Sequence, residues 1–387
     1  MGDGQFNRSR PHVSNVTAVS RGLPSHVHIR RSSDRGSREW ATPMIRKRVR
    51  SKWAALGVAT AIVAAFLSSA GSPASALPSE GRHADVPRII IDSDLSLWWD
   101  DATAIGIANV LEQRGEVRIL GIMSDIRNPL AVAAMDAIDT AYGHPNIPLG
   151  AVAHSNANTA PHGYTNELVR KLPHSVRSSN DVPGAVPLYR RLLASLPDHS
   201  VTIVAIGAYT NLAGLLHSKP DQHSPLDGRS LIGEKVKRLV IEDGLFPNGG
   251  PAVTNQKLDP SSAKVVVEGT DWPTPIAWVD GFTGIQTTVG GALCTTVASN
   301  NPMRIVYESL FGCGPPRDGD WDGPTMLYAI GGKQGLFTEL GQGGAAYINT
   351  EGGLSWRRDP SRPHDLYVHV ADQQALNRRI NALIGAK

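Results

Sequence analysis

From Val86 onward, apolar residues alternate between short unbroken runs and longer stretches that recur on one helical face. Arg88-Ile-Ile-Ile91 is an apolar run ending in Asp92, and Val117-Arg-Ile-Leu120 is another; both predict strands. Between them, residues 101–113 place Ala102, Ile105, Ala108 and Leu111 on one face, which predicts a helix. A second helix is predicted over 129–142, with Pro129 near its first turn, where a missing N–H costs nothing. Further strands are expected at 147–150, 201–206, 236–241 and 275–279. Helices are expected at 211–217 and 261–268, then a closing strand at 365–370 and a helix at 372–384.

Strands alternating with helices predict an α/β fold with a doubly wound, mainly parallel sheet flanked by helices. Neither a repeat nor a second composition shift interrupts residues 86–387, which read as one domain. In such sheets ligands bind beyond the C-terminal strand ends. Chemistry is therefore expected at positions such as Asp92.

The chain before residue 86 has a different character. Met44 opens a basic stretch, MIRKRVRSKW, followed by the apolar run AALGVATAIVAAFLSSA and then GSPASA. That order, closing on Ala74-Ser75-Ala76, predicts a secretory signal peptide over 44–76 with cleavage after Ala76. The competing reading is a membrane anchor. Against it, residues 54–70 form a short span rich in Ala. Residues 77–85 read as a linker. Residues 1–43 are polar and aperiodic, so they are either a disordered extension or lie upstream of a true start at Met44. The expected product is secreted, with no membrane attachment after cleavage.

The net charge is only +3, and much of the positive charge precedes residue 53. The body of the chain has no basic stripe, which argues against a nucleic-acid partner. Cys294 and Cys313 are the only cysteines. In an exported protein such a pair can form a disulfide, although two buried thiols are equally compatible with the spacing.

The densest chemistry is Asp92-Ser-Asp94 at the predicted strand end, with Asp100-Asp101 after a five-residue spacer at a helix start. Helix capping accounts for Asp100 or Asp101, but not for Asp92 and Asp94. Converging carboxylates repel and raise one another's pKa unless a cation neutralises them. An all-oxygen set suits Ca2+ or Mg2+ rather than zinc.

Two families share this opening. A strand followed by Asp-x-Asp resembles the haloacid-dehalogenase phosphatases, in which the first Asp is the nucleophile. Those proteins also need a later acidic pair, which Glu242-Asp243 could supply, and a lysine for which this chain has no clear counterpart.

The fuller resemblance, over about 86–384, is to the inosine-uridine-preferring nucleoside hydrolases. It is carried by Asp92-Ser-Asp94-Leu-Ser-Leu-Trp-Trp-Asp100-Asp101-Ala102, Asn128 after the second strand, and Gly207-Ala-Tyr-Thr-Asn211. It is carried further by Asn255-Gln-Lys-Leu-Asp259-Pro260 and Trp321-Asp322-Gly-Pro-Thr-Met. The longer spacer and Trp321 are similar to a bacterial subgroup.

The resemblance implies one Ca2+ held by Asp94, Asp101, Asp322 and the backbone carbonyl of Ile206. It implies that Asp94 is the general base for a Ca-bound water that attacks the N-glycosidic bond of a ribonucleoside. Asp100, Asn128 and Asn255 would hold the ribose, Trp321 would line the base side, and Asp92 would orient the loop from behind. Family members commonly associate, so a homo-oligomer is a further expectation.

The departures are Trp321 where a His is common, Val253 near a family Glu, Leu95 where Pro or Met is usual, and Ser96 in place of Gly. Trp98 and Trp99 are read either as base-stacking residues or as core and lid residues. A non-catalytic nucleoside- or sugar-binding protein on the same fold is the remaining alternative.

Overall fold

The computed structural model describes residues 86–153, 163–268, 272–314 and 319–386. The expected signal peptide, linker and N-terminal extension lie outside these residues. Ten strands are described: β1 (Arg88–Ser93), β2 (Arg118–Ser124), β3 (Leu149–Ala151), β4 (Val201–Ala205) and β5 (Val236–Glu242). They continue with β6 (Ile276–Val279), β7 (Phe337–Leu340), β8 (Gly344–Ile348), β9 (Leu354–Arg358) and β10 (Leu366–Val370). Eight form one sheet in the order β3-β2-β1-β4-β5-β6-β10-β7. Every neighbouring pair is parallel except β10 with β7. The doubly wound, mainly parallel sheet expected from the sequence is therefore present.

Its core follows from the strand sequences. Ile89 and Ile91 pack into one apolar layer and Ile90 into the other, all fully buried. Successive side chains alternate across a strand, so only a sheet covered on both faces tolerates an unbroken Ile-Ile-Ile. Helix Asp100–Gln113 carries one layer. The sequence shows one apolar face on this helix, yet the structure buries it almost all round. Its other faces carry small residues that admit close neighbours: a Cβ at Gly106 would lie 2.7 Å from Met303 Sδ. Thr103 Oγ1 and the Tyr307 hydroxyl are hydrogen-bonded at 2.7 Å.

The second helix is Ala131–Ala141, two residues later than expected. Asn128 is the reason: its Oδ1 accepts from the Leu130 N–H at 2.8 Å, which holds 128–130 in a turn before the helix starts. β7, β8 and β9 have no counterpart in the sequence reading. β8 and β9 form a separate antiparallel hairpin. It braces the loop after β5, since Trp356 N donates to the Pro247 carbonyl and Ser355 Oγ to the Asn248 carbonyl. Cys294 and Cys313 are joined in a disulfide, with their Cα atoms 5.5 Å apart.

Candidate active site

The strand order reverses between β1 and β4, and at such a switch point the loops leave the sheet in opposite directions and open a crevice. The acidic segment begins there. Beyond the last residues of β1, Asp125 N donates to the Ser93 carbonyl at 3.1 Å and Ile206 N to the Asp92 carbonyl at 2.8 Å. The ends of β2 and β4 therefore flank the aspartates on both sides.

Two helices also begin here, Asp100–Gln113 and Asp322–Gly331. Neither start is closed by a side-chain cap, so capping does not explain Asp100, Asp101 or Asp322. Their first turns present N–H groups and the positive ends of two helix dipoles, which favours the three carboxylates. Carboxylate oxygens of Asp100, Asp101 and Asp322 lie within 4.8 Å of one another. Ser93 Oγ orients Asp101 with a 2.6 Å hydrogen bond.

These residues open on a cavity of about 410 Å³, also lined by Asp94, Trp98, Ile206, Glu242, Asn255 and Trp321. A ligand pocket of ~300–1,000 Å³ is ordinary for small molecules. The buried charge is nearly all negative. Burial pushes Asp94 up to about 7, with Asp100 adding repulsion. Burial and then the neighbouring carboxylates hold Asp101 and Asp322 well above the usual range.

Asp94 Oδ2 is buried without a hydrogen-bond partner. An orphaned carboxylate oxygen beside three clustered carboxylates is a donor set that a hard divalent cation fits. The ion-sized cluster differs from the expected ligand set in one respect. It contains Asp100, whereas Asp94 lines the same cavity outside the cluster. Asp100 Oδ2 accepts from Trp321 N at 3.4 Å, which ties it to the start of Asp322–Gly331.

Asp92 is fully buried behind the cavity. Its Oδ2 accepts from the Tyr189 hydroxyl at 2.7 Å and its Oδ1 from Asn211 Nδ2 at 3.0 Å. Both of its oxygens are therefore engaged by residues outside the cavity lining. Asn128 does not line the cavity: its Nδ2 donates to Ser96 Oγ at 2.9 Å, so it holds the loop rather than facing the pocket.

The same loop is pinned by Tyr164, whose hydroxyl accepts from Ser96 N at 2.7 Å and donates to the Trp98 carbonyl. Ser96 has φ 107°, in the region that favours glycine. The two tryptophans divide their roles. Trp99 is buried edge-on against Phe311, with ring centroids 4.9 Å apart, and Trp98 stands half-exposed at the mouth. Trp321 Nε1 is committed to the Gly281 carbonyl at 2.8 Å. Its ring lies on Gly284, where any Cβ would come within 2.1 Å of it.

The sequence model of the inosine-uridine preferring nucleoside hydrolases matches residues 89–308. The chain belongs to this family. As a nucleoside hydrolase it carries the family's acidic opening, and Trp321 lines the cavity with its N–H already used. Solved structures agree on the fold. The inosine-uridine preferring nucleoside hydrolase from Bacillus anthracis is 16% identical, with 77% of this chain and 99% of that chain covered at a TM-score of 0.59. A plant nucleoside hydrolase is 18% identical, covering 78% and 100% at 0.58. A purine-preferring ribonucleoside hydrolase from Gardnerella vaginalis is 15% identical, covering 77% and 98% at 0.55. A comparison with curated proteins finds no match.

Sequence reasoning missed Glu242 as part of this pocket, along with the buried Asp125 and Asp320. Asp320 is buried just before Asp322 and accepts from Gly323 N at 2.8 Å. Its only sequence signal is its position two residues before the late Asp.

Proposed function

We propose that this nucleoside hydrolase cleaves the N-glycosidic bond of ribonucleosides to ribose and free base, with Ca2+ held by Asp100, Asp101 and Asp322 and by Asp94 or the Ile206 carbonyl. The observation that carries the reading is the clustered, buried carboxylates at the switch point, opening on a cavity with an apolar mouth. The cation, when bound, supplies charge neutralisation for the carboxylates and a lowered pKa for water beside it.

The remaining work falls to the chain. Asp94, with its free Oδ2, takes a proton from the attacking water. The carboxylates around the sugar stabilise the positive charge that develops as the bond to the base breaks. Asn255 reaches the sugar side of the cavity, and Trp98 offers its ring at the mouth, where a planar base can lie.

The phosphatase alternative needs Asp92 as nucleophile. Asp92 is buried, doubly hydrogen-bonded and outside the cavity lining, which counts against that chemistry. The binding-protein alternative draws support from Trp321, which has no proton to offer a leaving base.

A panel of ribonucleosides with product analysis, with and without a chelator, tests the reading. Release of free base that stops on chelation is the expected result; binding without release would leave the binding-protein reading. We further propose that the enzyme is exported and begins near Leu77, as the segment 44–76 suggests. N-terminal sequencing of secreted protein checks this, and retention of residues 54–70 in a membrane fraction would refute it.

A further inference from the structure

β5 ends in Glu242, a residue that lines the cavity yet is only 8% exposed. Asn255 fixes it at two points, because Nδ2 donates to its main-chain carbonyl at 3.1 Å and to Oε2 at 2.9 Å. Among the described residues nothing donates to Oε1. After burial, the charges that bear most on this carboxyl are Asp243, Asp100, Asp94 and Asp280, all acidic. Oε1 is thus an acceptor without a protein donor on the lining of the cavity, where a ligand can supply one.

The wall near it is formed by Leu245, Pro251, Ala252 and Val253, with Thr254 and Lys257 further along the same segment. Glu242 is not among the carboxylates close enough to share an ion, which are Asp100, Asp101 and Asp322. Its free oxygen therefore suits a neutral hydrogen-bond donor. The apolar mouth around Trp98 and Ile285 is the place for a base. Glu242 instead sits with Asp94 and Asp100, at the sugar end.

Resting on the nucleoside hydrolase reading above, we propose that Glu242 Oε1 accepts a hydrogen bond from a ribose hydroxyl, with Asn255 as its positioning residue. Glu242 is then a specificity determinant for the sugar. Replacing it by Gln changes the contact, since Asn255 Nδ2 claims the amide oxygen and the amide NH2 is left facing the cavity. Replacing it by Met removes the polar group at similar length.

The test compares parent, Glu242→Gln and Glu242→Met on a ribonucleoside and its 2′-, 3′- and 5′-deoxy analogues, with kcat and KM measured separately. The parent should lose roughly 10–100-fold in kcat/KM when the contacted hydroxyl is deleted, the usual worth of a hydrogen bond to a charged group. Both variants should lose a similar factor on the ribonucleoside and little more on that one analogue. If all three deoxy penalties persist at parental size in Glu242→Met, the proposal is overturned.

Calcium calorimetry should leave both variants within a few-fold of the parent; a loss as large as in Asp101→Ala would make Glu242 a ligand instead and overturn it too. A parent that cleaves no nucleoside would refute the function proposed above. D-ribose and its deoxy forms, titrated into the same three proteins, then decide this proposal separately. Ribose binding lost in both variants supports it, and a parent that binds no ribose ends it. Thermal melting identifies any variant that does not fold, and Glu242→Gln carries the comparison if Glu242→Met fails.

Discussion

Replacing Asp94 by Asn should flatten the pH dependence of stability measured in chelator. In the folded chain burial raises this carboxyl from 3.8 to about 7. An acid whose folded pKa exceeds its unfolded pKa holds its proton more tightly when folded. Its contribution to stability is present in full below about 3.8 and is lost as pH rises through about 7. At about 1.4 kcal/mol per pKa unit, the loss from this one group is about 4 kcal/mol.

Asp92, raised to about 6 chiefly by burial, adds a loss of the same sign over the lower part of the window. Asp101, Asp322 and Glu242 act in the same direction. Asn cannot titrate, so Asp94→Asn should retain most of that ~4 kcal/mol at neutral pH. Urea denaturation in chelator at several values between about pH 4 and pH 8 reads the difference. At an m-value of ~2–3 kcal/mol per molar, the parent's midpoint should fall by over 1 M more than the variant's. Excess Ca2+ should reverse the parent's trend, because the ion binds the deprotonated carboxylates and its affinity grows with pH. Parallel slopes for parent and variant in chelator would refute the assignment of Asp94 as a buried acid kept protonated without an ion.

Three further outcomes follow from the same geometry. Asp101→Ala should abolish Ca2+ binding and turnover together, since its carboxylate belongs to the ion-sized cluster; full calcium affinity by calorimetry would sink the site. Asp94→Asn should lower kcat by ~10²–10⁴, the usual size of general-base catalysis, while Asp92→Asn should act mainly on stability. Nucleoside assays of the two side by side check this, and parental turnover in Asp94→Asn would exclude the mechanism. Ser96→Gly should be more stable than Ser96→Ala by ~1–2 kcal/mol, because both lose the Asn128 contact and only glycine relieves the φ of 107°. Denaturation midpoints compare them directly, and equal stabilities would show that the loop carries no strain.

Much of the fold is legible in the sequence because parallel strands buried on both faces leave unbroken Ile and Val runs, as in β1 and β5. The hairpin of β8 and β9 leaves no such trace. Its strands are short and flanked by Gly341, Gly343, Gly352 and Gly353, and only a few of their side chains, Ala346 and Leu354 among them, join the apolar layer. Within the site, the aspartates are legible because four carboxylates in ten residues are dense enough to need explaining. Glu242 is not, since one acid at a strand end looks like any strand terminus. Its place in the pocket depends on Asn255 folding back across 13 residues. Asn128 is legible as a polar residue after β2, but its partner is set by the turn of the loop at Ser96.

The crowding of these acids is a consequence of backbone approach as much as of side-chain choice. β1 and β4 are neighbours, and the chain leaves β4 through Ile206 and Gly207 directly beneath the Asp94 turn. A Cβ at position 207 would come within 2.6 Å of Asp94 N and 2.4 Å of Asp125 Oδ2. Only glycine therefore lets the β4 exit pass so close to the end of β1. That proximity brings Ile206 to the same cavity as Asp94 and leaves Asp125 buried beside them, raised well above its usual range by burial and by Asp92 and Asp94. A larger residue at 207 would push the two strand ends apart and admit water between the carboxylates. The repulsion that makes the cluster receptive to a cation would then be screened. The affinity of the site for an ion is in this sense built by Gly207, which contributes no ligand of its own.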